Sequence, residues 1–326
     1  MKVMLLVMDE QRVILDHLYE MIKANCDQCD IYRLSKAQQL HLGRFFQSNS
    51  YLNYDRVVIF SRLKRLVGQL NVLRCIPGLI FLEHDACQNY MQFSKYRGKY
   101  SAFYRRLPWA RVLCSGAVVA RKLQDEGVDA VFVPKGYDET MLKNFQLPRE
   151  IPVGFLGSLK GIAYTERKQI LEQISDRTGM IIRRTKSGTE YLEALNRIQI
   201  FVSADVGMGE YMIKNFEAMA CGCVLVAWRQ DDEEVSALGL HDMKNLVLYR
   251  SVDEAVAKIK MLQADPDLAE RIAQSGQALA QERYTFSRVG QALAQAIVEP
   301  MRPWPGVSSL RRFWVGLRYQ LKVPGA

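Results

Sequence analysis

The sequence predicts an α/β protein made of two doubly wound parallel-sheet domains that face each other across a cleft. Three observations predict it. Short apolar runs alternate with amphipathic helical stretches along most of the chain, and such alternation builds parallel sheets through crossover helices. The runs are continuous rather than alternating in polarity, as strands buried on both faces must be. One polar stretch, Gly136 to Pro152, carries Pro148 and Pro152 near its end and reads as a linker between two such layers.

In the first half the expected strands are Val3–Met8, Ile31–Leu34, Arg56–Phe60, Leu79–Leu82, Val112–Cys114 and Ala130–Val133, with helices over Gln11–Ala24 and Ala117–Glu126. After the linker, Pro152 to Ser158 reads as a strand running into a glycine turn. Helix Glu166–Ser175, strand Met180–Arg183, helix Thr189–Leu195 and strand Ile198–Val202 follow. Helix Ile213–Ala220, strand Cys223–Ala227 and helices near Val252–Leu262 and Pro266–Gln281 complete the series. The expected domains are therefore residues 1–136, a linker over 137–152, a second domain over 153–300 and a basic amphipathic C-terminal helix within 301–326. Open sheets of this kind bind ligands beyond the carboxyl ends of their strands.

The bulk properties agree with a packed globular chain. Of 326 residues, 49% are apolar and 24% charged. The apolar start, Met1 to Met8, stops at Asp9 and Glu10, which is short for a signal peptide. No uncharged run approaches the roughly 18 residues of a membrane-spanning helix, so a cytoplasmic protein is expected. Cys26-x-x-Cys29 has metal or redox spacing, but no second pair or nearby histidine completes it, and the seven cysteines are expected as free thiols. The net charge of +9 is concentrated. Ser94 to Arg111 carries Lys95, Arg97, Lys99, Arg105, Arg106 and Arg111 with no acid, and Met301 to Ala326 carries Arg302, Arg311, Arg312, Arg318 and Lys322 with no acid. Leu310, Phe313, Trp314, Leu317 and Leu321 fall on one helical stripe in the latter. The C-terminal helix is expected to pack on its own protein with a solvated basic back, against the alternative that these two basic, aromatic segments make a peripheral contact with the inner face of a membrane.

The most informative stretch is Ile213-Lys214-Asn215-Phe216-Glu217-Ala218-Met219-Ala220-Cys221-Gly222. The loop Asp205–Met212 leads into a helix whose free N–H groups and positive dipole end favour an anion. Lys214 adds a full charge in the first turn, and Glu217 lies three residues on, on the same face.

This stretch resembles the donor-site motif of GT-B glycosyltransferases of the group-1 type, and more narrowly of the branch related to the spore-maturation protein CgeB. Val153 to Ser158 with Tyr164 and Arg167 resembles that family's first C-domain strand and helix. Val131 to Asp138 resembles its domain junction, and Asp265-Pro266, Ala273, Gly276 and Tyr284-Thr285-Phe286 resemble its closing helices. The resemblance runs from about Leu79 to Val289. It implies a GT-B fold of two Rossmann-like domains and transfer of a sugar from a UDP- or GDP-sugar to a saccharide or glycolipid acceptor, in cell-surface polysaccharide or lipopolysaccharide synthesis.

With that resemblance, Lys214 and the helix end are expected to stabilise the diphosphate leaving group, and Glu217 to accept hydrogen bonds from the ribose. Phe216 belongs to the same donor motif. The commoner pattern carries two glutamates eight positions apart. Here Gly209 holds that place and Glu210, one residue on, is the candidate contact to the transferred sugar. Gly157 and Ser158 are expected at the cleft edge near the phosphates, Arg167 as a second phosphate contact, and Arg184 beside the base or ribose. His84 and Asp85 follow the strand Leu79–Leu82 and are the candidates for acceptor binding or proton transfer, His84 because imidazole titrates near working pH. Asp9 and Glu10, after the first strand, are a further acceptor-side pair. No Asp-x-Asp pair is placed for a divalent ion, so no metal and no cofactor beyond the donor substrate are expected. The competing readings are a sugar-nucleotide epimerase of the same fold and a non-catalytic module binding anions or nucleic acid. No recognised nucleic-acid module is present, and no nucleic-acid partner is expected.

Overall fold

The computed structural model describes residues 1–10, 14–159, 165–186 and 188–324. Tyr164 of the family-like motif and the start of the expected helix Gln11–Ala24 lie outside the described residues; the helix runs over Asp16–Ala24.

Two all-parallel sheets form the molecule. The first holds β1 (Lys2–Met8), β2 (Gln28–Leu34), β3 (Arg56–Ile59), β4 (Leu79–Glu83), β5 (Arg111–Cys114) and β6 (Asp129–Phe132) in the order β2-β1-β3-β4-β5-β6. The second holds β7 (Ile151–Leu156), β8 (Ile181–Arg183), β9 (Ile198–Ser203), β10 (Val224–Trp228) and β11 (Val247–Tyr249) in the order β11-β10-β9-β7-β8.

Continuous apolar strands are explained by what they touch. In β1, Val3, Leu5 and Val7 pack into one cluster with Leu18 and Ile22 of helix Asp16–Ala24, while Met4 and Leu6 enter the cluster on the opposite face. All five are fully buried. The register centres β1 between its neighbours, Val3 pairing with Cys29 on one side and Arg56 on the other. A single separate cluster fills the second domain around β9 and β10.

The expected boundary at residue 300 moves. Tyr137 and Tyr284–Phe286 pair backbone to backbone, Tyr137 N–H to the Tyr284 carbonyl at 2.8 Å and Phe286 N–H to the Tyr137 carbonyl at 2.9 Å. From there helix Phe286–Val298 returns to the first domain, with Phe286, Val289, Leu293 and Ile297 in the core beneath β1. Gly290 permits the approach, since a Cβ there would stand 2.5 Å from Met21 Cβ. Arg111 fixes the end of this return. Buried, it pairs with Asp129 at 3.2 Å and donates to the carbonyls of Ala296 at 3.0 Å and Pro300 at 2.6 Å. It therefore contributes nothing to the basic surface expected of 94–111, whose aromatics Tyr100, Phe103, Tyr104 and Trp109 are core residues as well. Among the described residues no helix is long and apolar enough to cross a membrane.

Candidate functional site

A cavity of about 600 Å³ opens between the domains, a size ordinary for a small-molecule site. Its floor is the carboxyl edge of the second sheet. Gly157 and Ser158 come from the end of β7, Arg184, Thr185 and Lys186 from the end of β8, and Tyr191 from the first turns of helix Thr189–Asn196. Ile213, Lys214 and Glu217 come from helix Ile213–Ala220. Ile14 and Phe286 close it from the side of the first domain, and Asp138 from the connection.

The amino end of helix Ile213–Ala220 faces this space. Met212 at its cap is extended and gives no side-chain hydrogen bond. Asp205 organises the approach instead, accepting from Met212 N–H at 2.9 Å and from Asn215 Nδ2 at 2.6 Å. Gln230 Nε2 holds the Asp205 carbonyl at 2.7 Å. Lys214 Nζ lies 4.3 Å from the centre of the Tyr191 ring, a cation–π contact. The Tyr191 hydroxyl donates to Glu217, which is buried. Burial lowers the Lys214 pKa and raises that of Glu217, and each group's charge opposes the shift of the other. Lys214, Tyr191 and Glu217 are thus one coupled unit at the wall of an open cavity. Gly157 leaves room for it: a Cβ there would touch the Phe155 ring at 2.7 Å and reach Lys214 Cε at 3.4 Å.

Several expected residues stand elsewhere. Phe216 is buried in the second domain's core with its ring centre 4.5 Å from that of Tyr284, because the helix turns that face inward. Arg167 does not line the cavity; it binds Asp205 and donates to the Ala204 carbonyl at 3.0 Å, bracing the loop that carries the helix. Glu210 is sealed from the cavity between the domains. Its carboxylate accepts from Ser115 Oγ at 2.7 Å and faces Lys135 Nζ at 2.8 Å, both residues of the first domain. Asp9 is exposed, and Glu10 pairs with Lys36 on the surface at 2.5 Å.

His84 and Asp85, expected on the acceptor side, follow the carboxyl end of β4 and are not among the residues that line the cavity. His84 lies against Phe60, ring centres 5.2 Å apart, and burial with the nearby Lys135 charge pushes its pKa down to about 3. The lowered pKa weakens it as a base and leaves a contact to an acceptor open to it. Asp85 is open to solvent yet set deep enough that burial raises its pKa, with Lys135 opposing. Beneath it the buried Glu83 accepts from Tyr104 Oη and from Asp85 N–H, each at 2.8 Å, and burial followed by the Asp85 charge pushes its pKa up to about 8. Glu234 of the second domain caps helix Ala117–Asp125 of the first, accepting from Ala117 N–H at 2.7 Å and Val118 N–H at 3.3 Å. Burial and then Glu210 raise its pKa to about 7.

Among the described residues one group could offer three metal ligands, His17, Asp138 and Glu139. Glu139 is already engaged as the cap of helix Phe286–Val298, accepting from Phe286 N–H at 2.9 Å and Ser287 N–H at 3.1 Å, and His17 Nε2 lies 3.3 Å from it.

Sequence reasoning missed Tyr191, Asp205, Lys135 and Glu83. Their side-chain partners Glu217, Asn215, Glu210 and Tyr104 are 10 to 75 residues away, and the fold brings these pairs together.

Two facing parallel α/β domains, a helix returning from the second to the first, and an inter-domain cavity at the carboxyl edge of the second sheet define the GT-B class. Residues 143–295 match the family model described as glycosyl transferase-like. Similar solved structures include Anabaena HepE in complex with UDP, with 13% identity, TM-score 0.65, and 91% of this chain and 99% of that one covered. Sucrose-phosphate synthase from Thermosynechococcus elongatus shares 11% identity at TM-score 0.64 over 91% and 98% of the two chains. T4 phage β-glucosyltransferase shares 14% at TM-score 0.59 over 92% and 100%. No curated protein matches the chain by sequence comparison.

Proposed function

We propose that this protein is a glycosyltransferase that takes a UDP-sugar as donor and a saccharide or lipid-linked sugar as acceptor, in the assembly of a cell-surface glycan. The observation that carries the reading is the amino end of helix Ile213–Ala220, with Lys214, opening into the inter-domain cavity. A nucleoside diphosphate gains negative charge as the glycosidic C–O bond breaks, and fixed N–H dipoles and an ammonium group stabilise that charge most in the transition state. They supply positive charge without requiring a metal ion. Glu217, held by Tyr191, is oriented to accept the ribose hydroxyls. Arg184, at the cavity rim, is the candidate neighbour of the base. Uracil is favoured because HepE binds UDP and UDP-glucose in this same fold. On the acceptor side Asp85 is the candidate base: it is open to solvent beyond the end of β4, outside the cavity lining, and its raised pKa strengthens its affinity for a proton.

Thermal-shift measurements with UDP, GDP, ADP and dTDP, followed by UDP-sugars without acceptor, test this. Stabilisation by UDP above the other nucleotides and slow release of UDP from a UDP-sugar are expected. A rearranged sugar nucleotide in place of free UDP would mean an epimerase, and stabilisation by no nucleotide would overturn the reading.

A further inference from the structure

Helix Ser309–Tyr319 is mounted with its apolar stripe facing outward. Its inner edge is fixed to the first domain: Val315 is fully buried, and the Tyr319 ring lies over Gly43, where a Cβ would stand 2.5 Å from the ring. The segments on either side are fixed as well. Trp304 Nε1 donates to the Arg74 carbonyl at 3.0 Å, Tyr51 Oη to the Lys322 carbonyl at 3.2 Å, and Leu321 leaves the helical stripe to enter the core. Leu310, Phe313 and Leu317 remain 79%, 68% and 71% exposed, with Trp314 beside them at 41%. Positions 310, 313, 314 and 317 form one continuous strip of helix surface. A helix that has buried its narrow edge and exposed its broad apolar face has a second surface to cover.

The charges around that strip indicate what covers it. Arg318 sits over the Trp314 ring at 5.1 Å. Arg74 bonds the Arg106 carbonyl at 3.4 Å. Burial, then the positive charges of Arg311 and Arg106, hold its pKa down, so the three guanidinium groups share one neighbourhood. The two basic segments, far apart in sequence, thus meet here through Arg74, and the helix itself carries no acid. An apolar strip on a helix that carries cations and no acid is mismatched to a second copy of itself, which would bring like charges together. It is mismatched to nucleic acid too, which offers nothing to Leu310, Phe313 and Leu317. It matches a bilayer whose headgroups are anionic and whose acyl boundary accepts Leu, Phe and Trp.

We infer that helix Ser309–Tyr319 and the Arg74–Arg106–Arg311 cluster form a surface that seats the first domain on an anionic lipid bilayer. The site goes beyond the donor reading and does not depend on it. Its consequence is that the acceptor side of the cleft belongs to the domain held at the membrane.

The test is co-sedimentation of the full chain with vesicles of phosphatidylcholine alone or with about one-third phosphatidylglycerol. Binding to the anionic vesicles only is expected, weakening as salt rises from about 0.1 to 0.5 M. Leu310→Ser with Phe313→Ser and Leu317→Ser should lower the partition coefficient by about 10-fold or more. Arg311→Glu with Arg106→Glu should remove the preference for anionic lipid. These side chains are mostly outside the core, so an unchanged melting temperature and UDP affinity show that the variants are folded. Deletion of 301–326 is less useful, because it uncovers the core around Val307 and Leu321. Vesicle binding that the triple serine variant leaves intact overturns the inference. So does no vesicle binding together with either a dimer that the variant dissolves or retention on duplex nucleic acid. Since UDP binding is measured in the same samples, loss of lipid binding and failure of the donor site are read separately.

Discussion

The two sides of the cleft handle charge in opposite ways. On the donor side the cation, Lys214, stands at the wall of an open cavity, and its partners are an aromatic face and a carboxylate on its own helix face. On the other side the first domain's cation, Lys135, is sealed against Glu210, and burial raises the pKa values of the surrounding acids Glu83 and Glu234 to about 8 and about 7. The first arrangement leaves charge available to a ligand. The second uses charge to join two domains through a buried pair contributed by both. A lysine and a glutamate in a cleft therefore mean different things according to whether water or a ligand can reach them.

Removing each cation should separate the two roles. The largest effect is expected from Lys135→Met, which leaves the Glu210 charge buried and unpaired and should cost about 3–5 kcal/mol in a urea titration. Lys135→Met combined with Glu210→Gln should recover much of that loss; equal instability of the double variant would argue against the pairing. Lys214→Ala should act the other way round, lowering turnover by about 10²-fold or more with little change in stability. Near-normal UDP release by the folded Lys214→Ala protein would remove Lys214 from the chemistry. Glu217→Gln should raise KM for the donor by about 10-fold, since a hydrogen bond to a charged acceptor is weakened rather than lost; an effect on kcat alone would contradict a ribose contact.

This contrast also marks how far the sequence could be read. The strands of the first sheet were visible as apolar runs: β1, β3, β4 and β5 are buried on both faces, and a pattern with no polar face survives any packing, whereas the edge strands β2 and β6 are only partly buried and β2 begins three residues before its apolar run. Helix Ile213–Ala220 was visible to the residue, framed by the loop before it and by the Cys221-Gly222 turn after it. The three-residue β11 was missed: Val247, Leu248 and Tyr249 are too few to show a period. Lys214 and Glu217 could be placed together because they share one helix face. Glu210 could not, since its partners Lys135 and Ser115 lie 75 and 95 residues away on another domain. The lowered pKa of His84 was hidden for a related reason. Residue type suggests a pKa near neutrality, but burial and the Lys135 charge, both tertiary facts, decide it.

A further expected effect is in the pH dependence of stability. The pKa values of Glu83 and Glu234 are raised from an ordinary 4.5 to about 8 and about 7. Between pH 4.5 and 8 the folded protein therefore holds more protons than the unfolded chain. Stability from these groups is full below pH 4.5 and falls as pH rises through 7 and 8. Glu83→Gln, which mimics the protonated acid, should flatten the decline in melting temperature between pH 6 and 8.5; an unchanged slope would mean that Glu83 is ionised in the fold.

The most direct measurement is a crystal structure of the protein with UDP bound. The account predicts the β-phosphate at the amino end of helix Ile213–Ala220 within reach of Lys214 Nζ, with the ribose on Glu217. A diphosphate bound away from that helix end, with Lys214 still packed on Tyr191 and making no contact to it, would contradict the account.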